Sequence, residues 1–486
     1  MFKQWSEVST HPPFPLLQVA TSAEVTQFNL LLPCFNLDNY SPQFWLECLN
    51  ISTNTSKILP TTIKLLLESE DQQWRLVRLI FTGLLPDTEY CLKIAHNLDL
   101  DSRWFKTLPK ESRPFRFAFS NCLNDETYYI DIQKNIYSQL QREKPDLLIL
   151  GGDLVYVDSR ERWYNIPGGP REKDCLVRYL ETWQRLALYR LPYLIPTICI
   201  WDDHDYGVND GDRFFPYKET TLKLHQCFFG SDDIEGVYVN FNQGRIAIFT
   251  HQSQKFLLLD NRYFRLHDDL TIYPNLTEIN ELDYHSLYQY FIKQQTEQRY
   301  NLFGQLQEDW LISQINNSES EFIWLVGGNQ FFGNHHGKES YSRSNPEQFY
   351  HFLERVKVVG KPFAILSGDI HLSEFCRYPV YGEKEKPVYE FGISPLHSTM
   401  KLTDCQGDCY EKFTNPYRIK PDLLREQNHE LEIERLEKLA TYGLVAFRYN
   451  FGVFTTKFVD NRYLDLRVKV VADNRNLLFN FATELD

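Results

Sequence analysis

Four short apolar runs in this 486-residue chain each end in a side chain that can bind a metal ion or move a proton. Leu147-Leu-Ile-Leu150 runs through Gly151-Gly152 into Asp153, with Tyr156 three residues further on. Ile195-Pro-Thr-Ile-Cys-Ile-Trp201 ends in Asp202-Asp203-His204-Asp205. Phe363-Ala-Ile-Leu-Ser367 ends in Gly368-Asp369-Ile370-His371, and Phe115-Arg-Phe-Ala-Phe-Ser120 ends in Asn121-Cys122. Carboxylates, imidazoles, a phenol and a thiol gathered at one sheet edge repel and desolvate one another unless cations lie between them. A carboxylate can bridge two ions and a phenolate can bind one of them, so the pattern points to a two-metal site. Taken singly, each group has an ordinary reading: Asp153 as a helix cap, Cys122 as a small buried hydrophobe. The repetition at successive strand ends is what favours metal.

Short glycine-terminated runs of this kind read as strands buried on both faces, and open α/β sheets place their ligands beyond the strands' C-terminal ends. The glycine pair before Asp153 lets the backbone turn sharply and leaves room beside the carboxylate. Ile132, Ile136 and Leu140 predict an amphipathic helix over 128–142. Further helices are expected over 176–189, 305–315 and 348–356, with buried strands over 256–260 and 322–327. An antiparallel pair is expected at 236–241 and 245–249. A charged helical insert over 421–440 reads as a solvated face, and strands near 445–449, 452–454 and 467–471 finish the chain.

The chain is long enough for two to four domains, and its 35 Phe and 29 Tyr belong to a globular protein. Its net charge of −14 argues against a broad electrostatic grip on nucleic acid or an anionic membrane. Bound cations can still reverse the local field for a phosphorylated substrate. No apolar run approaches membrane-spanning length, and the first residues carry neither a basic-then-apolar leader nor a twin arginine. The ten cysteines are irregularly spaced and read as mostly reduced thiols. A cytoplasmic protein is therefore the default expectation, with secretion that needs no signal left open.

Residues 14–108 differ from the rest: short alternating segments separated by turn residues are the mark of an all-β sandwich. Within them, Gly83-Leu-Leu-Pro-Asp-Thr-Glu-Tyr90 resembles the turn and buried-tyrosine strand near the end of a fibronectin type III domain. From Pro114 the strand–helix alternation begins, so a second domain is expected over 114–486.

This second part resembles the calcineurin-like metallophosphoesterases, and within them the alkaline phosphatase D branch. That family's successive blocks correspond here to Gly152-Asp153, Asp202-Asp203-His204-Asp205 and Gly368-Asp369-x-His371. The branch's own variants correspond to Ser120-Asn121-Cys122, Trp201-Asp-Asp-His204, Leu259-Asp-Asn-Arg262-Tyr-Phe-Arg265, Gly304-Gln-Leu-Gln-Glu-Asp-Trp310 and Tyr389-Glu-Phe-Gly-Ile-Ser-Pro-Leu-His-Ser398. The blocks run from about Phe115 to Ser398, in order. Asn121 departs from the glycine or serine usual before the cysteine, and the export signal usual for the branch is missing.

The resemblance implies an α/β fold, a central mixed-sheet αββα sandwich, preceded by the smaller all-β sandwich. It implies a hydrolase of phosphoric esters, monoester or diester, in which metal-bound hydroxide attacks phosphorus. Iron (Fe3+) would be held by Cys122, Asp153, Tyr156 and His371, and one or more divalent ions, calcium the best match, near Asp203 and Asp369. Asn329 stands where the fold usually offers a histidine ligand. His204 takes the role of proton donor to the leaving oxygen, helped by Asp205. Arg262 reads either as a phosphate clamp or as an ion-pair partner of an acid such as Asp260. Asn209 and His397 are candidates for lining the pocket, and the His335-His336 pair reads as surface. The expected partner is a phosphorylated small molecule or lipid, without nucleic acid. Two rival readings are a catalytically idle metal-binding or interaction protein on the same fold, and a nuclease-type enzyme, which the acidic balance disfavours.

Overall fold

The computed structural model describes residues 11–34, 42–48, 57–96, 99–110, 113–126, 130–159, 170–232, 244–265, 289, 303–333, 339–382, 385–397, 417–419, 422–424, 444–445, 449–459, 463–472 and 478–485. The first seven strands are β1 (Leu16–Val19), β2 (Val25–Pro33), β3 (Gln43–Cys48), β4 (Thr62–Glu68), β5 (Trp74–Thr82), β6 (Glu89–His96) and β7 (Asp99–Lys106). After them come β8 (Phe115–Ser120), α1 (Ile130–Glu143), β9 (Leu147–Leu150), α2 (Glu172–Arg185), β10 (Thr197–Cys199), α3 (Asp203–Tyr206), α4 (Lys218–Phe229), β11 (Ala247–His251) and β12 (Gln254–Leu258). The rest comprises α5 (Gln305–Asn316), β13 (Phe322–Val326), α6 (Tyr341–Ser344), α7 (Pro346–Val359), β14 (Phe363–Ser367), β15 (Ser373–Tyr378), β16 (Val388–Gly392), β17 (Arg418–Ile419), β18 (Asp422–Leu424), β19 (Leu444–Val445), β20 (Asn450–Val459), β21 (Tyr463–Ala472) and β22 (Leu478–Leu485).

Two mixed sheets stack face to face, with helices outside them. The larger runs β18-β22-β21-β20-β8-β9-β10-β1-β2-β5-β4. In it β8, β9 and β10 are parallel, and β20 closes antiparallel on β8. The smaller runs β11-β12-β13-β14-β16-β15-β17, with β12, β13, β14 and β16 mutually parallel. Period-two alternation explains how its strands serve two cores at once. Phe322, Trp324 and Val326 of β13 point into the core shared with the larger sheet, while Ile323 and Leu325 pack under α5 and α7 with Leu311, Ile315, Phe349 and Leu353. Between the sheets Phe117 stacks on Phe454 at 4.8 Å and meets Phe256 and Trp324 edge-on at 5.1 and 5.3 Å.

The expected α/β architecture, with a β-rich part before a mixed-sheet part, is therefore present. Helix boundaries shift: α2 begins at Glu172 and stops at Arg185, and the chain tightens into a single 3-10 turn at Ala187–Arg190. In place of a helix at the start of 421–440 stands β18, and the remainder of that insert lies outside the described residues, as do 236–241, 398 and the His335-His336 pair. Among the described residues no helix is long and apolar enough to cross a membrane.

Every described residue of 14–108 lies in a strand, turn or connection. Phe28, Leu30, Leu79 and Phe81 of one layer meet Phe44, Leu46, Leu92 and Phe105 of the sheet β3-β6-β7. The Tyr90 hydroxyl accepts the Leu85 N–H at 2.9 Å, closing the turn before β6. Backbone pairing joins this sandwich to the mixed-sheet part of the chain. Val19 of β1 pairs in parallel with Thr197 of β10, and the Trp104 N–H donates to the Pro192 carbonyl at 2.9 Å. Buried Arg103 pairs with Asp101 at 2.7 Å and donates to the carbonyls of Leu191 and Phe14 at 2.7 and 2.9 Å.

Arg103→Ala leaves Asp101 buried without its cation, so the expected loss of stability is about 3–5 kcal/mol. Chemical denaturation of the purified variant measures it. A loss below about 1 kcal/mol, the scale of a surface ion pair, would show that this junction does not hold the sandwich in place.

Candidate metal centre

Strand ends from both sheets converge at one edge of the stack. From the larger sheet come the turns after β8, β9 and β10, and from the smaller those after β12, β13, β14 and β16. The donors stand on sharply bent backbone. Cys122, Asp153, Asp369 and His371 have φ of +56°, +55°, +67° and +56°, in the left-handed region that non-glycine residues seldom enter. Such conformations cluster where a functional geometry is held by its surroundings. The surroundings here include the Cys122 N–H donating to the Gly152 carbonyl at 3.2 Å and the Leu123 N–H donating to that of Asp153 at 2.7 Å. Gly152 itself has φ +123°, and a Cβ there would lie 2.6 Å from the Asp202 Cβ, so only glycine lets the β9 and β10 turns touch.

Three donor groups result, and in each the ligand atoms lie within 4.8 Å of one another: Cys122, Asp153 and His371; Asp153, Asp203 and His204; Asp153, Asp202, Asp203 and Asp369. Asp153 belongs to all three. Its Oδ2 accepts from the Cys122 Sγ at 3.4 Å, and that sulfur also lies 3.3 Å from the Ser394 Oγ. Crowding has electrostatic consequences. Burial, then the Asp203 carboxylate, raises Asp153 well above the usual carboxylate range. Burial pushes Asp202 up to about 6 against the pull of Arg262, and raises the Cys122 thiol as well. Asp202 Oδ2 and Asp203 Oδ1 are buried without a hydrogen-bond partner among the described residues. Cations between these groups would relieve each of those penalties, so the donor set fits metal.

The imidazole of His204 is set differently from the sequence expectation. Its Nδ1 lies 2.6 Å from the Asp158 Oδ1, and its ring stacks on Tyr156 with centroids 4.1 Å apart. Burial opposes the charged ring, but the carboxylates of Asp158, Asp203 and Asp153 prevail and raise it well above the ordinary histidine value. Asp205, expected to assist His204, has no hydrogen bond to its side chain among the described residues. Its Oδ1 accepts the N–H groups of Leu154 and Val155 at 2.8 Å each, and its Oδ2 accepts that of Asp202 at 3.1 Å. With both oxygens occupied by backbone, Asp205 ties the Asp153 turn to the start of α3. Tyr156 is held from behind, where the Arg178 Nε donates to its carbonyl at 2.9 Å.

Arg262 is fully buried, and its acid partners are Asp202 and Glu339 rather than the Asp260 side chain. Its Nε donates to Asp202 Oδ1, and its Nη2 lies 2.9 Å from Glu339 Oε2 and 3.8 Å from Asp203 Oδ1. Asp260 accepts the Arg262 backbone N–H at 2.8 Å and so shapes the turn instead. Arg265 completes the set against Glu339 at 2.7 Å. Asn329 reaches the same cluster: its Oδ1 accepts from the Asn261 Nδ2 at 3.2 Å, which also donates to Asp202 at 2.8 Å. The Asn209 N–H donates to Asp158 at 2.8 Å, whereas His397 is a core residue whose Nε2 lies 2.5 Å from the Tyr137 hydroxyl. Asp158, Asn261 and Glu339 were not singled out in the sequence. Asp158 carries one signal, its place in Asp153-Leu-Val-Tyr-Val-Asp158.

Known proteins resemble this chain in sequence over part of its length and in fold over most of it. Residues 229–441 match a family model described as PhoD-like phosphatase, a span that includes Arg262, Asn329, Asp369 and His371. A solved structure titled "Structure of PhoD" superposes with a TM-score of 0.56 at 16% identity, covering 96% of this chain and 92% of that one. At that identity the likeness speaks for the fold. An amylomaltase from Corynebacterium glutamicum aligns at 10% identity over 79% of this chain and 52% of its own, but with a TM-score of 0.17 it carries no weight. No curated protein matches the chain by sequence.

The unusual Asn121 has a counterpart in the fold. A Cβ on Gly368 would fall 1.0 Å from the Asn121 Nδ2, so the amide fills the place that glycine leaves. Gly368→Ala is expected to displace Asn121, and with it the neighbouring Cys122, and to lower the metal content of the purified protein. The double change Asn121→Ser with Gly368→Ala should restore it. Elemental analysis of the three proteins decides, and a full metal complement in the single variant would refute the packing argument.

Proposed function

We propose that this chain, which resembles the PhoD-like phosphatases over residues 229–441, is a metal-dependent hydrolase acting on small or lipid phosphoric esters. The observation that carries the reading is the membership of Asp153 in every donor group, which makes one carboxylate available to two ions. Cys122, His371 and the phenol of Tyr156 together with Asp153 offer the soft and phenolic donors that suit ferric iron. Asp203, Asp369 and the amide of Asn329 offer hard oxygens that suit a divalent ion such as calcium. Ions held by these residues would supply an activated water and positive charge for the phosphoryl oxygens.

The chain's own residues do the rest. Asp158 fixes the His204 ring through Nδ1, which leaves Nε2 as the nitrogen able to pass a proton to the departing oxygen. The aromatic face of Tyr156 limits the ring's rotation from one side. Arg262, already bound to Asp202 and Glu339, holds the Asp202–Asp203 pair in place, and the reading of it as a structural cation is the better supported one. The acidic balance of the chain favours compact substrates over a long nucleic-acid track.

Three experiments test the reading. Chelation should abolish hydrolysis of an aryl phosphate, and readdition of metal should restore it. Protein purified without chelator should show a visible band from thiolate and phenolate donation to ferric iron, diminished by Cys122→Ser; active, iron-free protein would rule out the iron assignment. His204→Ala should retain its metal. It should also slow turnover of esters with basic leaving groups about 10²- to 10⁴-fold, with a much smaller effect on activated aryl esters. Equal losses on both ester types would exclude His204 as the proton donor.

A further inference from the structure

Two adjoining recesses lie away from the metal donors, toward the opposite ends of the larger sheet's parallel strands. The donors follow the C-terminal ends of β8, β9 and β10, whereas the first of these recesses opens where the same strands begin, at Pro114, Pro145 and Pro196, and the second beside it, at the ends of α1 and α2. The first is a cavity of about 680 Å³ between the sandwich and the larger part of the molecule, with Lys106 and Glu89 on one wall and Arg113, Arg116, Lys144 and Asp146 on the other. The second, of about 710 Å³, adjoins it through Gln141 and Lys144. Its charged lining residues are Arg142, Lys144, Arg185 and Arg190, with no carboxylate among them.

Most cations in the first cavity are already compensated. Arg113 forks onto Asp146 at 3.1 and 2.5 Å, Lys106 meets Asp87 at 2.8 Å, and Arg116 donates to the Glu143 carbonyl at 2.8 Å. The second differs. Arg190 spends its N–H groups on the carbonyls of Pro13 and Gln184, which are neutral. Arg185 lies 3.9 Å from Asp125. Exposed Arg142 and Lys144 have no ion pair or hydrogen bond among the described residues. Arg142 and Arg185 stand in the last turns of α1 and α2, where a cation offsets the helix dipole. Lys144 lies past the end of α1 at φ +46°, and Arg190 ends a short 3-10 turn, so the dipole does not explain either. In a chain of net charge −14, an acid-free basic recess is not a by-product of composition.

We propose that this double recess is a binding site for a small polyanion, a soluble molecule carrying two or more phosphate groups. The volumes are those of ligand pockets, which favour domain junctions. Lys144, shared by both recesses, can pair with one phosphate while Arg142 and Arg190 face the next, as charge-assisted hydrogen bonds to phosphate require. The site is separate from the metal centre and does not depend on the catalytic reading.

Titration calorimetry of the full-length, metal-loaded protein with inorganic tripolyphosphate, at constant ionic strength, tests it. The expected result is one equivalent bound in the recess, weakened by at least about tenfold in Lys144→Glu and less in Lys144→Ala, with hydrolysis of an aryl phosphate unchanged in both. Asp153→Asn, which disables the metal centre, should retain that equivalent. Equal affinity in the wild-type and Lys144→Glu proteins, or loss of all binding in Asp153→Asn, would overturn the proposal.

Discussion

Everything at the catalytic edge follows from the need to keep several carboxylates buried beside one another. Asp153, Asp202, Asp203 and Asp369 approach within 4.8 Å, in surroundings from which water is largely excluded. Like charges at that range disfavour the ionised state strongly unless cations intervene. The protein sets the Arg262 cation against Asp202, while Asp202 Oδ2 and Asp203 Oδ1 have no hydrogen-bond partner among the described residues and are open to bound ions. Asp205 has a different role. It spends its oxygens on three backbone N–H groups and thereby locks two separate turns into one unit.

The distance between the two sheets sets the distance between the donors. Cys122, Asp153 and Asp203 ride on the larger sheet, and Asp369, His371 and Asn329 on the smaller. Interlocked rings of Phe117, Phe256, Trp324, Phe391 and Phe454 fill the gap. Interiors packed at crystal-like density transmit strain, so this aromatic layer is as much a part of the site as the ligands themselves.

Strand cores and the donors at their ends were legible because they are local: an apolar run, a glycine and a polar side chain lie within a dozen residues of one another. What lay beyond reach were relations between strands. Asp158 is found beside His204 only once the β9 and β10 turns are seen to touch. Glu339 and Arg262 meet across 77 residues of sequence, 339 minus 262, so no periodicity announces the pair. The left-handed backbone at Cys122 and Asp369 was equally hidden, since neither residue type signals it as glycine does. Nor did the change of pattern near Pro109 reveal that β1 would extend the larger sheet by pairing with β10. In the sequence that change looks like a boundary, and in the fold the hydrogen bonding runs across it.

The pairing of β8 with β20 bears on the order in which the molecule is made. On the ribosome, the strand that ends in Cys122 emerges early, but its neighbour, Gly452–Thr456, emerges more than 300 residues later. Until then one edge of β8 has no partner, and the Ser120 hydroxyl lacks the Asn450 carbonyl it later donates to. Contacts so distant in sequence form slowly, and an apolar strand waiting with an open edge invites pairing with other chains. Until β20 is made, that edge of β8 is a place where pairing with another chain competes with completion of the sheet.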